Sequence, residues 1–222
     1  MKELLALYFK DLQLDFKNKS SVSSVLLYTA SIVFVAYYSF KVKIAEVGPI
    51  VWNALFWVIT LFISINASGK SFQHENNGVD FYLYQLSSPL KILFSKILYN
   101  ITLLLITGIL SLMIYSIIMG NPVGSFSDFF IIYILGIIGF GSILTMIAGI
   151  AFKVGNNFTL MAIMSLPLLL PLEMLLIKGS MLAIDDLGWG NIGFQNIVYS
   201  LISLIMIEIS LSYLLFPYLW RA

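Results

Sequence analysis

Long apolar stretches alternate with short polar ones along this chain, and their spacing predicts helices that cross a lipid bilayer. A helix needs about 20 apolar residues to span roughly 30 Å of hydrocarbon, at about 1.5 Å per residue. Segments 21–40 and 47–69 have that length and lie between flanking charges. A longer uncharged run opens at Ile97. Gly120, Asn121, Pro122 and Gly124 supply the turn chemistry that ends its helix near Met119, so the third span is 97–119 and the fourth is 129–152. Lys153, Gly155, Asn156 and Asn157 interrupt the chain before a fifth span at 158–177, which carries Pro167 and Pro171. A sixth, at 197–219, contains Glu208. Membrane strands would alternate apolar and polar residues, whereas 101–105 and 166–172 are apolar at nearly every position. The expectation is therefore an all-α, polytopic membrane protein with six transmembrane helices, forming one transmembrane domain over 1–222.

Two segments outside the spans add to this. In residues 1–19, Leu4, Leu5, Tyr8, Leu12 and Phe16 recur at helical spacing while Lys10, Asp11, Asp15, Lys17 and Lys19 take other positions. The pattern reads as an amphipathic helix in the membrane interface, the alternative being a solvated prelude to the first span. These residues lack the short apolar core and small-residue cleavage site of a signal peptide. Between the second and third spans the chain reads SFQHENNGVD over 71–80 and FYLYQLSSP over 81–89, a polar turn, an aromatic stretch and then a proline stop. Phe81, Tyr82, Leu83, Tyr84 and Leu86 need a surface to pack on, and composition fits the bilayer interface and another protein equally well.

Composition sharpens the class. The chain is 60% hydrophobic and only 10% charged, with a mean hydropathy of +0.97, where a water-soluble domain carries about 25% charge. Its net charge of +1 gives no basic surface for nucleic acid. Without cysteine the chain has no disulfide, thiolate ligand or thiol nucleophile, and its one histidine, His74, makes no two-histidine haem or zinc site. The basic residues are unevenly placed. Lys2, Lys10, Lys17, Lys19, Lys70, Lys91, Lys96, Lys153 and Arg221 fall on one side of the six spans, and only Lys41, Lys43 and Lys178 on the other. The positive-inside rule then puts both termini in the cytoplasm, and a bacterial inner membrane is the default setting.

The chain resembles the membrane subunits of type-2 ABC exporters, and among them the CcmB family of cytochrome c maturation. The resemblance rests on Phe9-Lys10-Asp11-Leu12 with Leu14 and Phe16, on Leu55-Phe56-Trp57, and on Ser71-Phe72 through Glu75 and Gly78 to Leu86, Ser88 and Pro89. It continues with Lys96 at the third span and Leu166-Pro167-Leu168 with Pro171 in the fifth. Val79 stands where the pattern has a small polar residue, and the interval from Gly78 to Pro89 is slightly long. The resemblance implies a non-enzymatic permease subunit with a cytoplasmic coupling helix in the second loop. Glu75, Gly78, Asp80, Phe81, Leu86, Ser88 and Pro89 would form this ATPase-coupling element. It further implies a CcmA-like ATPase, CcmC, CcmD and CcmE-like haem-handling partners, and packing against a second permease copy or against other membrane subunits. ATP would sit on the ATPase and haem on the partner subunits, with no cofactor or metal bound directly. ATP hydrolysis would drive release of haem-loaded CcmE, or haem transfer. The chain carries no GxxxxGK[ST] loop of its own. An exporter of lipid, drug or polysaccharide is the alternative within transport; a scaffold uncoupled from ATP and an intramembrane enzyme are the alternatives outside it.

The remaining candidates are intramembrane polar or kink residues. Glu208 lies 13 positions before Arg221, roughly 19 Å along a helix and near mid-bilayer, where a charge costs at least about 2.5–3.5 kcal/mol. It is expected to be protonated or hydrogen-bonded at a helix contact, unless the span starts nearer Leu187 and leaves it at the boundary. Pro167 and Pro171 remove two backbone donors from one helix, which reads as a fixed bend or a hinge. Asp185 and Asp186 are adjacent, so their side chains diverge, and a solvated loop is the expectation. His74, predicted on the cytoplasmic side, reads as a surface residue.

Overall fold

A computed structural model describes residues 2–18, 20–42, 48–70, 88–154 and 158–221. Seven helices make up nearly all of the described residues: α1 (Lys2–Asn18), α2 (Ser20–Val42), α3 (Pro49–Lys70), α4 (Pro89–Met119), α5 (Phe126–Lys153), α6 (Phe158–Ile184) and α7 (Ile192–Arg221). Among those residues, α3 to α7 are the five helices long and apolar enough to cross a membrane. In α2 the apolar stretch with described side chains is the shorter Thr29–Ser39. The protein is a multi-pass helical membrane protein.

Three helices, α4, α6 and α7, run at least five residues past the apolar runs that predict them, and the extensions of α4 and α6 carry lysines, because a charge does not stop a helix. α4 begins at Pro89 rather than at 97, so Pro89 opens this helix instead of closing the segment before it. Proline suits a first helical position, where its missing N–H would be unbonded anyway. α6 continues past 177, with Lys178 exposed near its end, until Asp186 takes φ 58° and Leu187 N–H bonds back to the Leu182 carbonyl at 2.8 Å. α7 starts at Ile192 rather than 197, because Asn191 Oδ1 accepts the Gly193 N–H at 2.7 Å and caps the new helix. The end of α4 at Met119 agrees with the turn chemistry: Gly120 adopts φ 79°, and Asn121 Oδ1 accepts the Val123 N–H at 3.2 Å.

The core sits around α5, which packs on α3, α4, α6 and α7. Glycines make this close packing work. A Cβ on Gly136 would lie 2.9 Å from Trp57 and 3.0 Å from Leu176, and one on Gly139 would lie 2.8 Å from Leu172. In a bilayer, small residues let helix backbones approach where no hydrophobic force drives them together. At the Gly120 end, Trp52 and Phe56 of α3 stack at 5.7 Å between centroids and meet Tyr115 of α4 and Phe129 of α5 at 5.0–6.0 Å. Trp52 Nε1 donates to the Gly120 carbonyl at 2.8 Å and Tyr115 donates to the Trp52 carbonyl at 2.9 Å, so the cluster is tied to both backbones.

The same end is closed by polar contacts. Asp128, which falls between the predicted third and fourth spans, lies buried in the first turn of α5, where it accepts a 2.8 Å hydrogen bond from Ser125 and faces the positive end of the helix dipole. Gly188, in the α6–α7 turn, packs so tightly on the Asp128 carboxyl that no side chain fits there.

Candidate functional site

The coupling element read from sequence falls mostly outside the described residues: Glu75, Gly78, Asp80, Phe81 and Leu86 lie there, as does His74. Ser88 and Pro89 are described, and they begin α4. The segment that joins α3 to α4 therefore feeds directly into a 31-residue helix, roughly 46 Å long, that reaches the Gly120 end.

At its Pro89 end α4 carries α1. Lys91 Nζ bonds Glu3 Oε2 at 2.7 Å, Lys96 Nζ meets Asp11 Oδ2 at 3.1 Å, and Tyr8 and Thr102 share a 3.1 Å hydrogen bond. The first pair is exposed. The second is not: Lys96 is 2% and Asp11 8% accessible. Asp11 is a correction to the amphipathic pattern, since it lies on the packed face with Leu7, Tyr8 and Leu12 rather than among the solvated charges. Leu5 and Phe9 instead point outward, 45% and 54% exposed. The helix thus has one face locked onto α4 and one turn-spaced apolar pair free to enter a bilayer interface. Around Lys91 and Lys96, Ile92, Leu93 and Ile97 pack on Phe216 of α7 with Leu7 of α1, so three helices meet where the segment before Ser88 leads into α4. The Lys91 hydrogen bond, and then its charge, hold the Glu3 carboxyl below its ordinary value of 4.5.

α4 is also bonded sideways. Ser111 pairs with Thr29 of α2 at 3.2 Å, and Asn100 Nδ2 donates to Thr145 of α5 at 2.7 Å. A displacement of α4 must break or carry these contacts.

A connected polar group inside the spans joins α3 to α6. Ser180 accepts from Trp57 Nε1 at 2.7 Å and bonds Asn53 Oδ1 at 2.7 Å, while Asn53 Nδ2 donates to the Ile177 carbonyl at 2.8 Å. Each of these side chains is buried and satisfied, the arrangement expected of interhelical glue.

Of the kink and carboxylate candidates, Pro167 and Pro171 lie on the exposed face of α6, which stays helical from Phe158 to Ile184. Glu208 is half-buried 16 residues into α7, and Ser142 of α5 donates to its Oε2 at a long 3.5 Å. Asp185 and Asp186 form the turn that ends α6, exposed beside Ile184.

Three features escape a span-by-span reading. The Lys96–Asp11 pair joins residues 85 apart in sequence, and its only signal is an aspartate on an apolar stripe. The Asn53–Trp57–Ser180 group is made of residues ordinary in any membrane helix. Glu173, inside the fifth span, is a third: only 7% accessible, with no hydrogen-bond partner at either carboxyl oxygen among the described residues. A hydropathy window averages it away among nine neighbouring leucines, isoleucines, methionines and prolines.

No curated protein and no solved structure gives a significant match to the chain. The family model described as CcmB protein matches residues 2–217. With that match running nearly end to end over the helices above, the chain belongs to the CcmB family, the membrane permease subunits of ABC transporters that serve cytochrome c biogenesis.

Proposed function

We propose that the chain is the six-span permease of a cytochrome c maturation complex, driven by a CcmA-like ATPase and working with CcmC, CcmD and CcmE-like haem-handling proteins. The family match over 2–217 carries this reading. In it α2 is the first span, both termini face the cytoplasm, and the membrane is the bacterial inner membrane.

The geometry supports a mechanical route. The ATPase would dock on the second-loop segment containing Glu75, Gly78, Asp80, Phe81 and Leu86, and movement would enter α4 at Ser88 and Pro89. α1, bonded through Asp11 and Glu3, would move with α4 rather than independently. At the other end the same rod holds Trp52 through Gly120 and Tyr115, so displacement of α4 reaches α3 and the aromatic cluster. Glu208 and the proline-bearing α6 lie on the two spans with the least burial, α6 and α7. Tyr199, Ser200 and Ser203 line an open groove of about 580 Å³ between these helices. Ser200 and Ser203 bond carbonyls of their own helix, so the groove's remaining polar edge is Asn196 and Tyr199, and this is where a second permease copy or CcmC would pack.

Affinity purification of the tagged chain in mild detergent, with identification of copurifying proteins and a haem absorbance spectrum, tests the reading. Recovery of an ATPase with CcmC- and CcmE-like partners is the expected result. An ATPase without haem or those partners would keep the exporter and remove the cytochrome assignment.

A further inference from the structure

The seam between α3 and α6 is polar along its length. On α3, Asn53, Trp57, Thr60 and Ser64 recur every three or four residues and are buried, with the Trp57 indole N–H as its polar edge. On α6, Ser180 meets that stripe directly through Asn53 and Trp57. Glu173 is seven residues before Ser180, two helical turns deeper on the same edge of α6. Leu172 and Gly179 mark a different edge, which faces Gly139 and Ile132 of α5 and Ile197 of α7. Ser165, also fully buried, is seven residues before Leu172 and so lies on that second edge, with its hydroxyl bonded to the Ala162 carbonyl.

Thr60 and Ser64 bond the carbonyls of Phe56 and Thr60, one turn earlier, both at 2.8 Å. Their demand is met within α3. Glu173 differs, because neither of its oxygens has a partner among the described residues although it is 93% buried. A bare carboxylate is not stable in such a place, whereas a neutral carboxylic acid is. Among the described residues no charge stands ready to neutralise it. No side chain of α3 before Lys70 titrates. On α5 the titratable groups are Asp128 and Lys153 at the ends, and Tyr133. α6 itself has Lys178, exposed and five residues on, and α7 has Tyr199, Tyr213, Tyr218, Glu208 and Arg221, of which Glu208 is engaged with Ser142.

We infer that Glu173 is a proton-binding site gated by the α3–α6 seam: its carboxyl holds a proton while the seam is packed and gives that proton to water when the two helices part. Opening converts the acid to carboxylate and hydronium; closing requires the carboxylate to take a proton back. The Ser64 hydroxyl, on the α3 side of the seam, is the polar group beside which water would enter. Closure then slows as pH rises, which makes the bundle's cycle pH-dependent whichever partner drives it.

The test is labelling of the full chain in membranes with dicyclohexylcarbodiimide, an apolar reagent that couples to protonated carboxyls, read by peptide mass spectrometry at Glu173 and Glu208. Labelling at Glu173 is expected at acidic pH, falling about tenfold per pH unit once the open-seam carboxyl ionises. The chain has no cysteine, so Ser64→Cys gives a second reading with a charged methanethiosulfonate. Its thiol is expected to react, and Glu173→Gln, which keeps the volume and removes the proton, is expected to weaken the pH dependence of that reaction several-fold. Glu173 unlabelled at every pH while Glu208 labels, or labelled equally at all pH values, overturns the proton site. An inert Ser64→Cys thiol overturns the gate. Neither readout depends on the cytochrome assignment, so the two readings fail separately.

Discussion

Lys96 of α4 and Asp11 of α1 form a 3.1 Å ion pair, with both side chains withdrawn from solvent at the point where the second-loop segment enters the bundle. A buried pair contributes little relative to an apolar pair, but it is costly to break, because the surviving charge loses a buried counter-charge; Asp11 also has Lys10 at 3.4 Å. Asp11→Ala should destabilise the protein by up to about 3–5 kcal/mol, and Lys96→Ala by less, because Lys10 remains beside Asp11. The double change Asp11→Leu with Lys96→Met should recover most of that loss, as read by thermal unfolding in detergent. A double variant no better than the singles would mean that the charges do more than pair.

Ser180 is the shared partner of Trp57 and Asn53. Ser180→Ala strands an indole N–H and an amide oxygen between α3 and α6, and a loss of about 1–2 kcal/mol is expected. Ser165→Ala removes a hydroxyl bonded only to its own helix, at the Ala162 carbonyl, and should cost less. Paired unfolding curves decide between these expectations.

Gly136 and Gly139 set the approach of α5 to its neighbours. Alanine at Gly136 presses a methyl against Trp57 and Leu176, at a cost of about 1–3 kcal/mol. Gly190 has open space around its Cβ position, so Gly190→Ala should stay within about 0.5 kcal/mol of wild type. Equal effects at both positions would contradict the close packing of α5.

Glu3 gives a pH-dependent contact. Its carboxyl is held below the ordinary 4.5 by Lys91, through their hydrogen bond and then the charge. The stabilisation is fully present above that ordinary value and is lost as pH falls through the lowered one. Hydrogen exchange of the α1 amides should therefore accelerate on acidification. Glu3→Gln should show the faster exchange already at neutral pH, and added salt should weaken the wild-type contact because both groups are exposed. Identical exchange in wild type and variant would show that Asp11 and Tyr8 alone hold α1.

Much of the fold is legible in the sequence because bilayer crossing is a property of local composition. Apolar runs of span length mark α3 to α7 without reference to any neighbour, and the glycine, asparagine and proline after Met119 place the end of α4 correctly. Boundaries set by partners are less legible. Lys91 and Lys96 look like span-ending charges until Glu3 and Asp11 are brought beside them. Of the candidate coupling element, Ser88 and Pro89 are seen at the start of α4, and the rest lies outside the described residues.

The sequence alone determined that this chain is a helical, multi-pass membrane protein and carried enough motif to place it with the CcmB family. Hydrophobicity and turn chemistry act within a few residues, so both can be read along a line. Tertiary structure alone decided which polar groups meet. Asp11 finds Lys96 across 85 residues, Ser180 finds Asn53 across 127, and Glu173 finds no hydrogen-bond partner among the described residues. The low-polarity interior makes each of those outcomes energetically large, and only the packing of the helices determines which one a side chain receives.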